Sequence, residues 1–249
     1  MGAIWITGAS GAIGSALARA LQPSGRTLVL TARHEAALQE LAASLDGPTV
    51  VLPGDLTQPA TARTLLEQAV TKVGGITAMA HCVGNTVIRP LHLTQDADIE
   101  QTMLINYFSA AWALKAFIAL QLKQKTAASA VLMGSLITRG AFPNHEAIAS
   151  AKSAVATLAE SAAATYAGNG IRVNCIHPGL TRSNLSARLT GTPEALARSA
   201  SLNPMGRVGE GADSAAMIAF LLSPEAGWIT GQQIAVDGGH GVIHPLPKA

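Results

Sequence analysis

A doubly wound, parallel α/β sheet with helices on both faces is predicted for this chain by three observations. Short β-branched or apolar runs recur along it, longer Ala/Leu-rich segments separate them, and a glycine-rich turn joins the first run to the first such segment. The runs are AIWIT, TLVLTA, TVVLP, ITAMAH, SAVLMGS, IRVNCI and QQIAV, which predicts seven strands, and intervening segments such as KSAVATLAESA carry helical periodicity. Repeated βα units of this kind build one parallel sheet, because each right-handed crossover returns the chain to the same end of the neighbouring strand.

A single domain over residues 1–249 is expected, since a chain of 249 residues with 49% hydrophobic side chains can bury most of its surface in one core. Charged residues make up 13% and the net charge is +2, a balance that argues against a nucleic-acid or membrane-surface partner. Small molecules and further copies of the chain are the expected partners. Cys82 and Cys175 lie in apolar runs without metal-ligand spacing and read as reduced thiols, which fits a cytoplasmic setting. No basic n-region precedes MGAIWITGAS, and AAWALKAFIALQL, broken by Lys115, is expected to be too short to span a bilayer. The Pro/Gly clusters read as loops rather than linkers, and no repeat or low-complexity tract is present.

The first strand ends at Thr7, glycines follow at Gly8, Gly11 and Gly14, and a helix opens at once. Such a turn suits a pyrophosphate: glycine lets the backbone approach the phosphates, while the free N–H groups and positive dipole end of the helix attract the anion. The sheet is therefore expected to be Rossmann-like. The second strand, TLVLTARHEAAL, selects the dinucleotide. Cofactors without a 2′-phosphate usually meet an acidic residue here, whereas this chain offers Ala32 and then Arg33, whose guanidinium can pair with a phosphate. NADP is the expected cofactor, and no metal site is expected.

These segments resemble the short-chain dehydrogenase/reductase family over essentially the whole chain. TGASGAIG is similar to the family's TGxxxGxG turn, with Ala12 in place of its middle glycine and with Ser10 and Ile13 among the implied cofactor contacts. In GDLT the resemblance implies that Asp55, with Leu56 beside it, contacts adenine. HCVG, from His81 to Gly84, stands where the family usually has NNAG; Gly84 matches and both asparagines are absent. LINYFSA places Asn106 at the family's relay asparagine, VLMGS places Ser135 at its catalytic serine, and Lys152 falls at the lysine that bonds the nicotinamide ribose. IHPGLTRS resembles the PGxxxT segment, so Pro178, Gly179 and Leu180 are implied beside the carboxamide, with Ser183 in place of Thr. The ending, from NPMGRVGEG to VDGG, is similar to bacterial 3-oxoacyl reductases.

The family's acid is a tyrosine four residues before the lysine, one helical turn away, and here that position is Ile148. Isoleucine neither donates a proton nor bonds an oxyanion. Three explanations stand at this point. The acid has moved to His145, seven residues before Lys152, the spacing that enoyl-acyl-carrier-protein reductases of the same family use for tyrosine. Alternatively, the pocket is chemically idle and the protein is a dinucleotide-binding sensor or a structural partner of an active relative. Or Ser135, with water or Glu146, assists carbonyl reduction alone. The expected function is an NADP(H)-dependent oxidoreductase acting on a small carbonyl or activated alkene, with residues 181–203 as a lid over the substrate. A homotetramer is expected, because IEQTMLINYFSAAWALKAFIAL and AIASAKSAVATLAESAAATY carry more small and apolar positions than one core-facing stripe needs.

Overall fold

The protein is described from a computed structural model over residues 2–243. Seven strands form one sheet: β1 (Ala3–Thr7), β2 (Leu28–Thr31), β3 (Thr49–Val51), β4 (Ile76–His81), β5 (Ala128–Met133), β6 (Ile171–Pro178) and β7 (Gln233–Val236). Their order is β3-β2-β1-β4-β5-β6-β7, with every neighbouring pair parallel. Each strand coincides with one of the apolar runs. The reason is burial on both faces: all five residues of β1 are buried, so the run is continuously apolar rather than alternating.

Successive β1 side chains enter different cores. Trp5 packs with α3 (Thr61–Val73), α5 (Ser109–Gln124) and α6 (Glu146–Tyr166), whereas Ile4 and Ile6 pack with α1 (Ala12–Leu21), α2 (Glu35–Ala43) and α9 (Gly211–Leu222). Polar atoms inside these layers find partners, as where Trp5 Nε1 donates to Thr31 Oγ1 at 3.0 Å and Gln121 Nε2 to Ile76 O at 2.9 Å. Between β6 and α9, a short 3₁₀ turn (Asn184–Ser186) leads into α7 (Ala187–Thr190) and α8 (Pro193–Ser201), which together occupy most of residues 181–203.

One helical run departs from the sequence expectation. Helix α4 (Asp96–Met103) passes through a π-turn (Leu104–Phe108) straight into α5, giving 29 continuous helical residues, Asp96–Gln124. The apolar segment is therefore longer than AAWALKAFIALQL suggests, and length and composition alone would let it cross a bilayer. Its inward face is nevertheless core: Ala110, Ala113, Leu114 and Phe117 are buried against the sheet.

The chain order reverses between β1 and β4, so the loops after these two strands diverge and leave a crevice at the carboxyl edge of the sheet. Gly8, Arg33, Gly84, Ser135 and Pro178 all stand at or just beyond strand ends on this edge. The fold thereby assembles residues that are far apart in sequence.

Candidate active site

The first turn is built to approach an anion closely. Gly8 has φ +67°, and a Cβ there would lie 2.6 Å from the Cys82 carbonyl carbon, so only glycine both adopts the turn and clears the β4 loop. Gly11 caps α1 in an extended conformation with no side-chain hydrogen bond, which leaves the first N–H groups of the helix without a side-chain acceptor. Ser10 is exposed and Ile13 half-buried beside them, while buried Gly14 packs directly on the Gly8 carbonyl. This cradle fits a pyrophosphate. Arg33, exposed just beyond β2, makes no ion pair or side-chain hydrogen bond among the described residues. Asp55 is exposed, and its Oδ1 accepts the N–H and hydroxyl of Thr57. Leu56 is 3% exposed, so its side chain belongs to the core and only its backbone is available to a ligand.

Lys152 lies on α6 and is 8% exposed, with Nζ donating to Met133 O at 3.0 Å. Burial pulls its pKa down to about 8, opposed in part by the Cys175 and Cys82 sulfurs; burial pushes both thiols up to about 12. Gly84 passes close over the amine: a Cβ there would stand 3.2 Å from Lys152 Nζ and 3.0 Å from Asn106 Oδ1.

Asn106 sits in the π-turn, a bulge that recurs at functional sites. Its Nδ2 donates to Thr102 O at 2.9 Å and to Asn85 Oδ1 at 2.6 Å, and its Oδ1 accepts the Asn85 N–H at 3.3 Å. Asn85 was not singled out in the sequence, yet it supplies part of what the HCVG loop lacks. His81 supplies another part. Its Nδ1 lies 2.9 Å from Thr7 Oγ1 and its Nε2 lies 3.0 Å from Ser109 Oγ, which itself donates to Ile105 O. The Ser109 oxygen therefore accepts from Nε2–H, and the Thr7 hydroxyl donates to Nδ1. Burial, with Lys152 nearby, drives the His81 pKa down to about 3 and keeps the ring neutral.

Ser135 is half-buried, and its Oγ accepts only a long 3.4 Å bond from Ile137 N–H. Its hydroxyl proton goes to no described residue. Ile148, one turn before Lys152, is 3% exposed and packed. Helix α6 begins at Glu146, so His145 is its N-cap rather than a residue two turns up the same face. The imidazole turns to Phe142, with centroids 6.0 Å apart, and its Nδ1 bonds Pro143 O at 2.7 Å. The structure brings Ser135, Lys152 and Asn106 to one edge but gives His145 no hydrogen bond to any of them.

Beyond β6, Gly179 N–H donates to Val236 O at 2.9 Å, and a Cβ at Gly179 would meet Asp237 Cα at 2.8 Å. Pro178 ends the strand, Leu180 O accepts Gly209 N–H at 2.9 Å, and Ser183 caps the 3₁₀ turn by accepting Ser186 N–H. A cavity of about 270 Å³ behind this segment reaches Arg207, Asp213 and Asp237, which are already engaged: Arg207 pairs with Asp213 at 2.7 Å, and the Asp237 carboxylate accepts the N–H groups of Gly239 and Gly241. The edge bearing Ser135 and Lys152 is the better candidate site.

Buried Lys152 makes stability depend on pH. Its folded pKa lies below the ordinary 10.5, so below about pH 8 the burial penalty is present in full, and it is relieved as pH rises from 8 to 10.5 because the folded chain releases the proton first. The two thiols act oppositely, losing stability as pH rises past 9. Comparison with Lys152→Met isolates the lysine. Urea unfolding across this range is expected to find the variant more stable by up to about 3 kcal/mol near pH 7, with the gap closing toward pH 10.5. A gap independent of pH would mean that the amine is not desolvated.

A family profile described as enoyl-(acyl carrier protein) reductase matches residues 8–241. Galactitol 2-dehydrogenase (L-tagatose-forming) of Cereibacter sphaeroides is 33% identical over 242 residues, covering 95% of this chain and 94% of that protein. The 3-oxoacyl-[acyl-carrier-protein] reductase of Haemophilus influenzae is 31% identical over 234 residues, covering 94% and 96%. The solved structure of a short-chain type dehydrogenase/reductase from Mycobacterium ulcerans is similar with a TM-score of 0.90 at 29% identity, covering 97% of this chain and 90% of that one. The parallel seven-stranded sheet, the glycine turn at its switch point and likeness across nearly the full length agree, and the protein belongs to the short-chain dehydrogenase/reductase family of oxidoreductases.

Proposed function

We propose that the protein is an NADP(H)-dependent oxidoreductase that transfers a hydride between the nicotinamide and a small carbonyl or activated alkene. The observation that carries this reading is the joint presence, at one sheet edge, of an uncapped glycine turn and of Ser135 with an unassigned hydroxyl proton beside buried Lys152. The dinucleotide, when bound, supplies or accepts the hydride. The turn from Gly8 to Gly14 holds its pyrophosphate and Arg33 its 2′-phosphate, while Pro178, Gly179, Leu180 and Ser183 line the carboxamide side. Lys152 holds the ribose, and Ser135 donates its hydroxyl hydrogen bond to the acceptor oxygen. Ile148 offers no proton, so the acid is His145, reached by rotation away from Pro143, or else a water at Ser135. Residues 181–203 close over the substrate.

A second reading, an idle dinucleotide binder, is favoured by one observation: the residue one turn before Lys152 is buried, apolar Ile148, which offers no donor. NADPH oxidation followed with cyclohexanone and with crotonyl-CoA separates the two. Turnover with either supports the oxidoreductase, and dinucleotide binding without consumption supports the idle pocket. His145→Ala is expected to lower turnover by about 10²–10⁴-fold if the imidazole is the acid. Full activity in that variant assigns the proton to water.

For the cofactor, NADPH is expected to bind more tightly than NADH. A charge-assisted hydrogen bond is worth roughly 1.5–3 kcal/mol, so Arg33→Ala should weaken NADPH by about ten- to a hundredfold and leave NADH nearly unchanged. Calorimetric titration of both dinucleotides checks this, and equal affinity in the unmutated protein would remove the assignment.

We also propose a homotetramer. Phe108 is 42% exposed on the long helical run, stacked on half-buried Trp112, and Phe220 on α9 and Trp228 just after it are exposed at 42% and 100%, which supports two self-association faces. Light scattering is expected to give four times the 25.4 kDa chain mass; a monomer at micromolar concentration would contradict this.

A further inference from the structure

The geometry points to His177 as the residue that positions Ser135, with Gln233 and Glu160 fixing which imidazole nitrogen carries the proton. The inference deepens the proposed function and rests on Ser135 being the group that meets the acceptor oxygen.

His177 stands on β6 immediately before Pro178 and is fully buried, and both of its ring nitrogens are engaged. On one side Nε2 lies 3.0 Å from Gln233 Oε1, and Gln233 Nε2 donates to the Glu160 carboxylate at 2.6 Å. A carboxylate only accepts, so the Gln233 amide must turn its NH₂ toward Glu160 and its oxygen toward His177. Nε2 therefore carries a proton and donates it.

In the neutral ring Nδ1 is then an acceptor, and it faces the end of β5. Ser135 N–H donates to it at 3.2 Å, the Thr138 hydroxyl lies 2.9 Å away, and Ser135 O lies at 2.9 Å, bonded by that same Thr138 hydroxyl at 2.8 Å. Burial disfavours a second proton on the ring most strongly; the Ser135 backbone and then Gln233 favour it, and the cations Arg139 and Lys152 oppose it more weakly, so the ring's pKa is held below its ordinary value. The other titratable groups nearby are the Cys175 thiol, which shares the space over Gly134 with the ring, and Glu160, which acts only through Gln233.

The ring also fills the space under the peptide that leads into Ser135. A Cβ at Gly134 would lie 2.6 Å from the imidazole, so glycine is required there and the ring wedges the Gly134–Ser135 unit in place. The extended backbone of Ser135, with φ −165°, thus has one N–H partner, and that partner is set by a chain of three side chains ending at exposed Glu160. An imidazole of the other tautomer would turn its Nδ1–H to Ser135 O, 2.9 Å away, and leave the Ser135 N–H without its acceptor. Because Ser135 Oγ has only a 3.4 Å local bond, its direction follows its backbone. His177 is accordingly a positioning residue.

Two measurements test this on the full chain. Long-range ¹H–¹⁵N spectra of histidine-labelled protein are expected to show the Nε2–H tautomer at His177. Glu160→Lys replaces an acceptor by a donor on an exposed site, so Gln233 turns round, the Nδ1–H tautomer gains population and the Ser135 amide resonance moves. A parent Nδ1–H tautomer, or a Ser135 amide unmoved in Glu160→Lys, overturns the inference. In the second, His177→Leu with NADPH and either cyclohexanone or crotonyl-CoA should lose about 10- to 100-fold in kcat while NADPH affinity holds, the usual consequence of misplacing a reacting group. His177→Asn, whose Oδ1 can accept the Ser135 N–H, should recover most of the loss. Equal losses in both variants, or a loss confined to dinucleotide affinity, overturn it too. If His177→Leu does not fold, Glu160→Lys and His177→Asn still decide. If the parent oxidises no NADPH with either compound, the proposed function fails, while the tautomer measurement continues to decide the role of His177.

Discussion

A buried ammonium group is the constraint around which the candidate site is arranged. Lys152 Nζ reaches the carboxyl edge of the sheet from inside α6 and donates to one main-chain carbonyl, Met133 O. Burying a charge with so few partners is costly, so whatever stands beside it must be polar, small or able to bring a further acceptor. Each neighbour meets one of these demands. Gly84 lets the β4 loop pass over the amine without a side chain, and Asn106 holds that loop through Asn85. The ribose hydroxyls of a dinucleotide are the further acceptors in the proposed function.

Isoleucine at position 148 changes the chemistry more than the structure. A phenol one turn before the lysine would add an O–H whose proton loss the nearby ammonium would favour, whereas the buried isoleucine adds only apolar contact. The surrounding machinery is not dismantled to match. The uncapped α1 and the π-turn at Asn106 each keep an unfavourable or unusual local arrangement, and such arrangements persist where surrounding contacts over-determine them.

The fold was legible because its signals are local. Strands of a sheet covered by helices read as short, mainly apolar runs, and all seven such runs became strands; the glycine turn was legible because backbone conformation and close approach demand glycine at Gly8. Ser135, Lys152 and Asn106 were singled out through likeness to a family, and the fold brings them to one edge, while the residues they bond were not singled out. Asn85 reads as a loop residue, and His81 as a departure from an asparagine, until the fold sets them against Asn106 and Thr7. His177 precedes a familiar Pro-Gly step, but its partners lie 42 and 56 residues away. The His145 expectation depended on where α6 begins, and helix starts are the boundaries that spacing determines least well.

The π-turn at Leu104–Phe108 has a reach beyond the side chain it presents. A π-turn holds one residue more than an α-helical turn, which rotates everything after it by roughly 100° relative to an uninterrupted helix. Asn106 is turned inward to 1% exposure by this segment, and two residues later Phe108 is left facing out beside Trp112. The orientation of a polar group inside the crevice and the shape of an aromatic ridge on the outer surface are therefore outcomes of a single hydrogen-bond offset. A sequence change that restored a regular helix would alter both together, so the lining of the crevice and the relief of the outer surface are coupled through one turn of helix.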